Sequence, residues 1–141
     1  MNRHIVRAFT LVEILIVVVI LGILAAIVVP QFARAVNDSS ETATFDQLSR
    51  VRRAVSYYFA TNNGAYPIIA AGSGTWGPLI PTYMREAPKN FWIPEPGNKM
   101  IVLGNTPDSA YQTTYGWIYD QNTGQVWAGG FDDQDRPLPR P

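Results

Sequence analysis

An unbroken apolar run near the N-terminus limits what this chain can fold into more than any other feature. No polar side chain occurs from Ile14 to Val29, and Thr10 and Glu13 are the polar residues between Phe9 and Pro30. As a helix with a rise of about 1.5 Å per residue, this segment spans roughly the 30 Å hydrocarbon core of a bilayer. The sequence therefore predicts a membrane-spanning helix.

Two residues of this run are unusual for a plain membrane anchor. Glu13 places a carboxylate among apolar side chains, which costs about 2.5–3.5 kcal/mol on membrane-insertion scales. Pro30 ends the run, although the sequence beyond it still has helical periodicity. Both residues indicate that the helix does more than hold the chain in a membrane.

A short basic segment precedes the run. Arg3, His4 and Arg7 favour a cytoplasmic N-terminus by the positive-inside rule. In a secretory signal peptide the small residue at the cleavage site follows the apolar stretch, whereas here Ala8 precedes it. Cleavage after Ala8 would remove the basic residues and keep the helix.

The sequence AFTLVE, which begins at Ala8, resembles the class III signal of type IV prepilins and type II secretion pseudopilins. The resemblance covers the leader, Phe9, Glu13, Gly22 and Pro30, although the family usually has glycine where this chain has Ala8. It implies that prepilin peptidase cleaves between Ala8 and Phe9 and methylates the new Phe9 amine. It also implies that Phe9, Glu13, Gly22 and Pro30 take part in assembly.

The resemblance implies a structural subunit of a type II secretion pseudopilus or a type IV pilus-like filament. Its expected partners are other copies in a helical homo-oligomer, prepilin peptidase, the inner-membrane assembly platform, and minor pilins or pseudopilins. The expected location is the bacterial inner membrane, with a single pass, a cytoplasmic N-terminus and a periplasmic C-terminal domain. Secretion, competence and motility systems all remain open, as do major and minor subunit roles.

Beyond Pro30 the apolar residues change to an amphipathic helical spacing. Those at helical spacing are Val36, Leu48, Val51, Val55 and Tyr58. We predict one long helix from about Phe9 to Ala60, bent near Pro30 because proline removes a backbone hydrogen bond. The helix is expected to stop at Asn63-Gly64, before Pro67. The predicted ranges are a leader at 1–8, a transmembrane assembly helix at 9–30 and a globular domain at 31–141.

The remaining chain has three short segments with β-strand character, Met100–Leu103, Tyr111–Tyr119 and Gln125–Ala128. Asp120–Gly124 is predicted to form a hairpin loop between the last two. Alternation would place Tyr115, Trp117 and Tyr119 on one face, against the helix. The predicted fold class is therefore α+β, a long N-terminal helix packed against a small antiparallel three-stranded sheet, as in pilins.

Charge and cysteine content exclude some functions. The formal net charge is zero, so no nucleic-acid footprint is evident, and the absence of cysteine excludes disulfides and thiolate chemistry. Because His4 is the only histidine and lies on the leader, the cleaved chain would have no histidine for a catalytic triad or a zinc site. We therefore expect no enzymatic activity.

Two ligand sites are considered. Asp132, Asp133 and Asp135 could offer oxygens to a Ca²⁺ ion, and the resemblance implies such a site because major pseudopilins often bind calcium in this region. A solvated acidic loop is the alternative, and no other cofactor is expected. Trp76 and Trp92 are considered as a ligand platform, but we expect them to pack under the loop that carries them. The alternative function is a membrane-tethered periplasmic domain that binds a ligand and does not polymerise.

Glu13 acquires a specific role if the leader is removed. The new Phe9 amine lies about one helical turn from Glu13, and a membrane penalises each charge when it is alone. We expect the Phe9 amine of an incoming subunit to pair with Glu13 of its neighbour and so to fix the register. The alternative is that Glu13 lies at the headgroup level and faces water.

Overall fold

A computed structural model describes residues 9–72 and 74–141. Helix α1 extends over Leu11–Thr61 and contains Pro30 without interruption, so the predicted long helix is confirmed. The helix is followed, as predicted, by a stop at Asn63 and Gly64, whose φ angles of 53° and 76° place the backbone in the left-handed region. The predicted leader, residues 1–8, lies outside the described residues.

The chain divides into two compact units. The first ends at Val36, and the second is Asn37–Pro141. The predicted ranges 9–30 and 31–141 place the division a few residues earlier, and they remain predictions.

A small three-stranded sheet lies in the second unit. Its strands are β1 (Ile101–Leu103), β2 (Trp117–Tyr119) and β3 (Val126–Ala128), in the spatial order β1-β2-β3. β2 and β3 are antiparallel, as predicted, but β1 and β2 are parallel, so the sheet is mixed rather than antiparallel. A parallel pair needs a crossover of about a dozen residues, and residues 104–116 provide it.

Strand β2 is shorter than predicted because residues 111–116 belong to this crossover. Tyr115 therefore lies outside the sheet and is only partly buried, so the predicted row of three aromatic side chains is wrong at that position. Trp117 and Tyr119 are fully buried, as predicted, in the same core cluster as Leu48 and Val51 of α1. The predicted α+β layout, with a helix packed on a small sheet, is thereby confirmed.

The two tryptophans considered as a ligand platform are buried instead. Trp76 is 0% exposed and lies edge-to-face with Trp117, at a ring-centroid distance of 6.4 Å. Trp92 is 7% exposed and packs edge-to-face with Phe131. Both therefore belong to the core, which confirms the packing interpretation.

The second unit is expected to fold without the apolar helix. Its core joins the buried face of α1, which includes Leu48, Val51 and Val55, to all three strands. We expect a fragment of residues 37–141 to be soluble and cooperatively folded, because it retains this core and lacks the apolar segment that drives insertion. Circular dichroism and thermal melting will check this. An aggregated or unfolded fragment would contradict the packing described here.

Candidate assembly and processing site

The N-terminal part of α1 is apolar on every side. Its side chains are exposed all around the helix from Leu11 to Val29. An 18-residue window of α1 has a mean hydropathy of 3.3 and is 0% buried within the chain, so by length and composition this helix can cross a membrane. Nothing in the described part of its own chain covers this surface.

Glu13 has a structural role that the sequence interpretation missed. Its Oε2 accepts hydrogen bonds from the backbone N–H and the hydroxyl of Thr10, at 2.8 and 2.9 Å. In return, the Glu13 backbone N–H donates to Thr10 Oγ1 at 3.3 Å. These reciprocal bonds form a capping box at the start of α1. The Thr-x-x-Glu spacing in the sequence was the signal that could have revealed it.

The other predicted assembly residues lie in or beside the same segment. Phe9 is 81% exposed, directly before the capped helix. Gly22 and Pro30 lie within α1, and a Cβ added at Gly22 would meet no atom of the chain within 4 Å. Packing within the chain therefore does not require glycine there. Ala8, the predicted residue before the cleavage point, lies outside the described residues.

The C-terminal aspartates face arginines rather than one another. Arg52 of α1 binds Asp135 through two hydrogen bonds of 2.6 and 2.9 Å, and also donates to the Val126 carbonyl. Asp132 binds the Arg136 side chain. Hydrogen bonds from the Arg136 backbone and side chain hold the pKa of Asp132 below its usual range.

No group of three acidic or histidine side chains within residues 9–72 and 74–141 is arranged to hold a metal ion. Asp133 is exposed. Asp132 and Asp135 would have to give up arginine contacts to bind calcium. Calcium binding by this segment remains a prediction.

The Asp108 carboxylate is the centre of a hydrogen-bond network that holds two parts of the chain together. Asp108 accepts hydrogen bonds from the Tyr115 hydroxyl, the Gly130 backbone N–H and the Gln112 side chain. Burial, followed by the interaction with Asp108, raises the pKa of Tyr115 to about 12. Perturbed groups often mark active sites, but here they fasten the β1–β2 crossover to the turn after β3.

Comparison with known proteins gives one family match in the same N-terminal region and two similar relatives. Residues 3–29 match the family described as the prokaryotic N-terminal methylation motif. The chain is 40% identical over 72 residues to a type II secretion system core protein G from Pseudomonas aeruginosa, a match that covers 51% of this chain and 50% of that protein. The N-terminal segment therefore carries the prokaryotic N-terminal methylation motif. The resemblance seen in the sequence is thereby confirmed.

A second curated relative supports the same classification. This chain is 35% identical over 74 residues to the fimbrial protein EcpC of Eikenella corrodens, a match that covers 52% of this chain and 48% of that protein. The chain thus spans about half the length of the curated relatives it matches. No solved structure gives a significant match. The α+β layout of one long helix and a small mixed sheet is also pilin-like.

Proposed function

We propose that this chain is a structural subunit of a type II secretion pseudopilus or a type IV pilus-like filament, and that its role is not catalytic. The observation that carries the proposal is the N-terminal methylation motif on a helix whose apolar surface is left uncovered by residues 9–72 and 74–141. Such a surface must be covered by lipid or by other copies of the helix. In a filament subunit, lipid covers it before assembly and neighbouring helices cover it afterwards.

Glu13 and Gly22 favour a polymer over the alternative, a membrane-tethered ligand-binding domain that does not polymerise. A tether needs only apolar length, so it has no use for a carboxylate within the run. Space around Gly22 is open in the single chain, and small residues allow helices from different copies to approach closely. The two tryptophans considered as a ligand platform are packed in the core, so they offer no exposed platform for a ligand.

The proposed topology and partners follow from the same segment. Arg3 and Arg7 favour a cytoplasmic N-terminus, which places the C-terminal domain in the periplasm of a cell with an inner membrane. Prepilin peptidase would release the leader at the membrane. The inner-membrane assembly platform and minor pilins or pseudopilins would then incorporate the chain into the filament.

Processing gives a direct test of the proposal. Protein from cells with active prepilin peptidase is expected to begin at Phe9, to carry a methylated amine and to lack the mass of Met1–Ala8. Mass spectrometry of the intact protein and its N-terminal peptide measures all three. Replacing Ala8 with glycine should preserve or speed cleavage, whereas Ala8→Leu should block it. An unprocessed chain, with the Ala8→Gly variant unprocessed as well, would contradict the proposal.

A further inference from the structure

The second unit carries an acidic stripe on α1, defined as Asp38, Glu41 and Phe45. Their i, i+3, i+7 spacing places them on one face of the helix. Asp38 is exposed and Glu41 is partly exposed, and neither forms an ion pair within the described chain. Phe45 is 49% exposed, so the stripe has a large apolar side chain beside its two carboxylates.

Further along α1 lies an arginine stripe, defined as Arg50, Arg53 and Tyr57, with the same i, i+3, i+7 spacing. Tyr57 is 64% exposed. Arg53 makes no ion pair among the described residues, and Arg50 pairs with Asp46 at 2.8 Å. The Arg50 and Asp46 side chains are 60% and 54% exposed, so their pairing is weak and Arg50 can change partner.

The arginine stripe lines an open groove of about 1010 Å³, whose other wall comes from residues 83–88. Tyr83 of that wall lies edge-to-face with Tyr57 at 5.6 Å. Arg85 adds a third positive charge and has no ion-pair partner among the described residues, while Glu86 is the carboxylate that lines the groove there. The groove is therefore positively charged, with an aromatic end.

The two stripes correspond residue by residue. Each member of the acidic stripe has its counterpart twelve positions later: 38 and 50, 41 and 53, 45 and 57. Twelve residues of α-helix correspond to a shift of about 18 Å along the axis and a rotation of about 120°. The buried face of α1, which includes Leu48 and Val55, lies between them on the side of the sheet. The stripes are thus on opposite flanks of the exposed helix surface.

We propose that the acidic stripe of one copy docks on the arginine stripe of a second copy, shifted by about 18 Å along the helix. Asp38 would meet Arg50, Glu41 would meet Arg53, and Phe45 would pack against Tyr57. One shift satisfies all three pairs, and opposite charges select the partner. Pairing of Phe9 with Glu13 needs a shift of only about 6 Å, so the two contacts are made with different neighbours in the filament. This docking rests on the proposed function and identifies the partner surface of the filament subunit.

The arrangement also explains why such contacts would extend into a polymer rather than stop at a dimer. Each copy uses two different surfaces, so the contact is heterologous rather than isologous. A heterologous contact with an axial shift does not close, and it generates an open helical assembly. However many copies bind, one acidic stripe stays free at one end of the assembly and one arginine stripe at the other. Further copies can therefore be added at either end.

Cysteine cross-linking of the full-length chain in cells tests the docking. The chain has no cysteine, and Phe45→Cys with Tyr57→Cys keeps all charges of both stripes. The two positions lie about 18 Å apart on one helix, too far for a disulfide within a chain. We therefore expect mild oxidation to produce a ladder of multimers. Phe45→Cys with Lys99→Cys, an exposed position outside both stripes, should give none.

Charge reversal gives a second measurement that does not depend on the cysteine variants. Arg53→Glu should reduce the sedimentable, assembled fraction about tenfold, as expected for a close charge pair at an interface, and adding Glu41→Arg should restore it. Suppose that microscopy shows filaments, but the cysteine variant gives no ladder of cross-linked multimers and Glu41→Arg does not rescue Arg53→Glu. This result would overturn the docking but leave the proposed function intact. Absence of filaments from the unmodified chain would overturn both.

Discussion

Replacing Glu13 with glutamine is expected to abolish assembly while leaving membrane insertion and cleavage after Ala8 intact. Glutamine keeps a side-chain oxygen that can accept the Thr10 hydrogen bonds, so the helix cap survives. The variant loses the negative charge that would pair with the Phe9 amine of a neighbour. The Phe9 amine of the neighbour is then left unpaired in the membrane, which is costly, so we expect at least a tenfold loss of filament, measured as chain sheared from cells.

Two further variants separate the charge of Glu13 from its capping role. Thr10→Val removes the two capping hydrogen bonds of the Thr10 hydroxyl but keeps the carboxylate, so its assembly should remain close to that of the unmodified chain. Glu13→Leu removes both functions and should fail to assemble even though it makes the helix more apolar. If Glu13→Gln assembles normally while Thr10→Val does not, capping alone accounts for Glu13 and the charge pairing is wrong.

The second large effect is expected at Asn90, which is 0% exposed. Its Nδ2 donates to the carbonyls of Gly116 and Gly129, both at 2.9 Å, and its Oδ1 accepts from the Trp92 backbone N–H at 2.8 Å and from Thr44 of α1 at 3.3 Å. This one side chain therefore connects the helix, the loop before the sheet and the turns that flank β2 and β3.

Replacing Asn90 with alanine leaves the Trp92 N–H and the Gly129 carbonyl without the hydrogen bonds that Asn90 makes to them. The Gly116 carbonyl still accepts from the Gly129 N–H, and the Thr44 hydroxyl still donates to the Ser40 carbonyl. Since each unsatisfied buried group costs about 1–3 kcal/mol, we expect a loss of roughly 3–5 kcal/mol in the free energy of unfolding. Urea denaturation of the 37–141 fragment measures this loss. Asn105→Ala, at an exposed position, is the matched control and should change stability by less than about 0.5 kcal/mol.

Asn90→Asp distinguishes the hydrogen bonds from the lost volume. Aspartate is nearly isosteric, but it presents an oxygen to two carbonyls in place of the amide donor. We expect it to be at least as destabilising as alanine at neutral pH, because it also buries a charge. A fragment in which Asn90→Asp costs less than about 1 kcal/mol would show that this network does not hold the domain together.

The features that depend on residues close together in the chain could be predicted from the sequence. Continuous apolarity and helical periodicity predicted α1 to within two residues at its start, and Asn63-Gly64 marked its end. The Thr10–Glu13 cap could also have been predicted from its Thr-x-x-Glu spacing. The capping box and the proposed pairing are compatible, since a carboxylate has more than one acceptor site.

The features that could not be predicted depend on contacts between distant segments. The parallel pairing of β1 with β2 follows from the crossover that Asp108 fastens to Gly130, twenty-two positions away. The same contacts keep Tyr115 out of β2. The correspondence of the two stripes was present in the sequence, but it acquired meaning only when the structure showed which face of α1 is buried and placed Arg85 beside the groove.

Electron cryo-microscopy of material sheared from cells tests the central claim most directly. If the chain is a filament subunit assembled through its N-terminal helix, the material should contain helical filaments. The chains in these filaments should begin at Phe9. The N-terminal parts of their α1 helices should form the filament core, with the 37–141 domains on the outside. Chains found only as single copies in the membrane, with the apolar helix covered by lipid, would contradict that claim and favour a tethered domain.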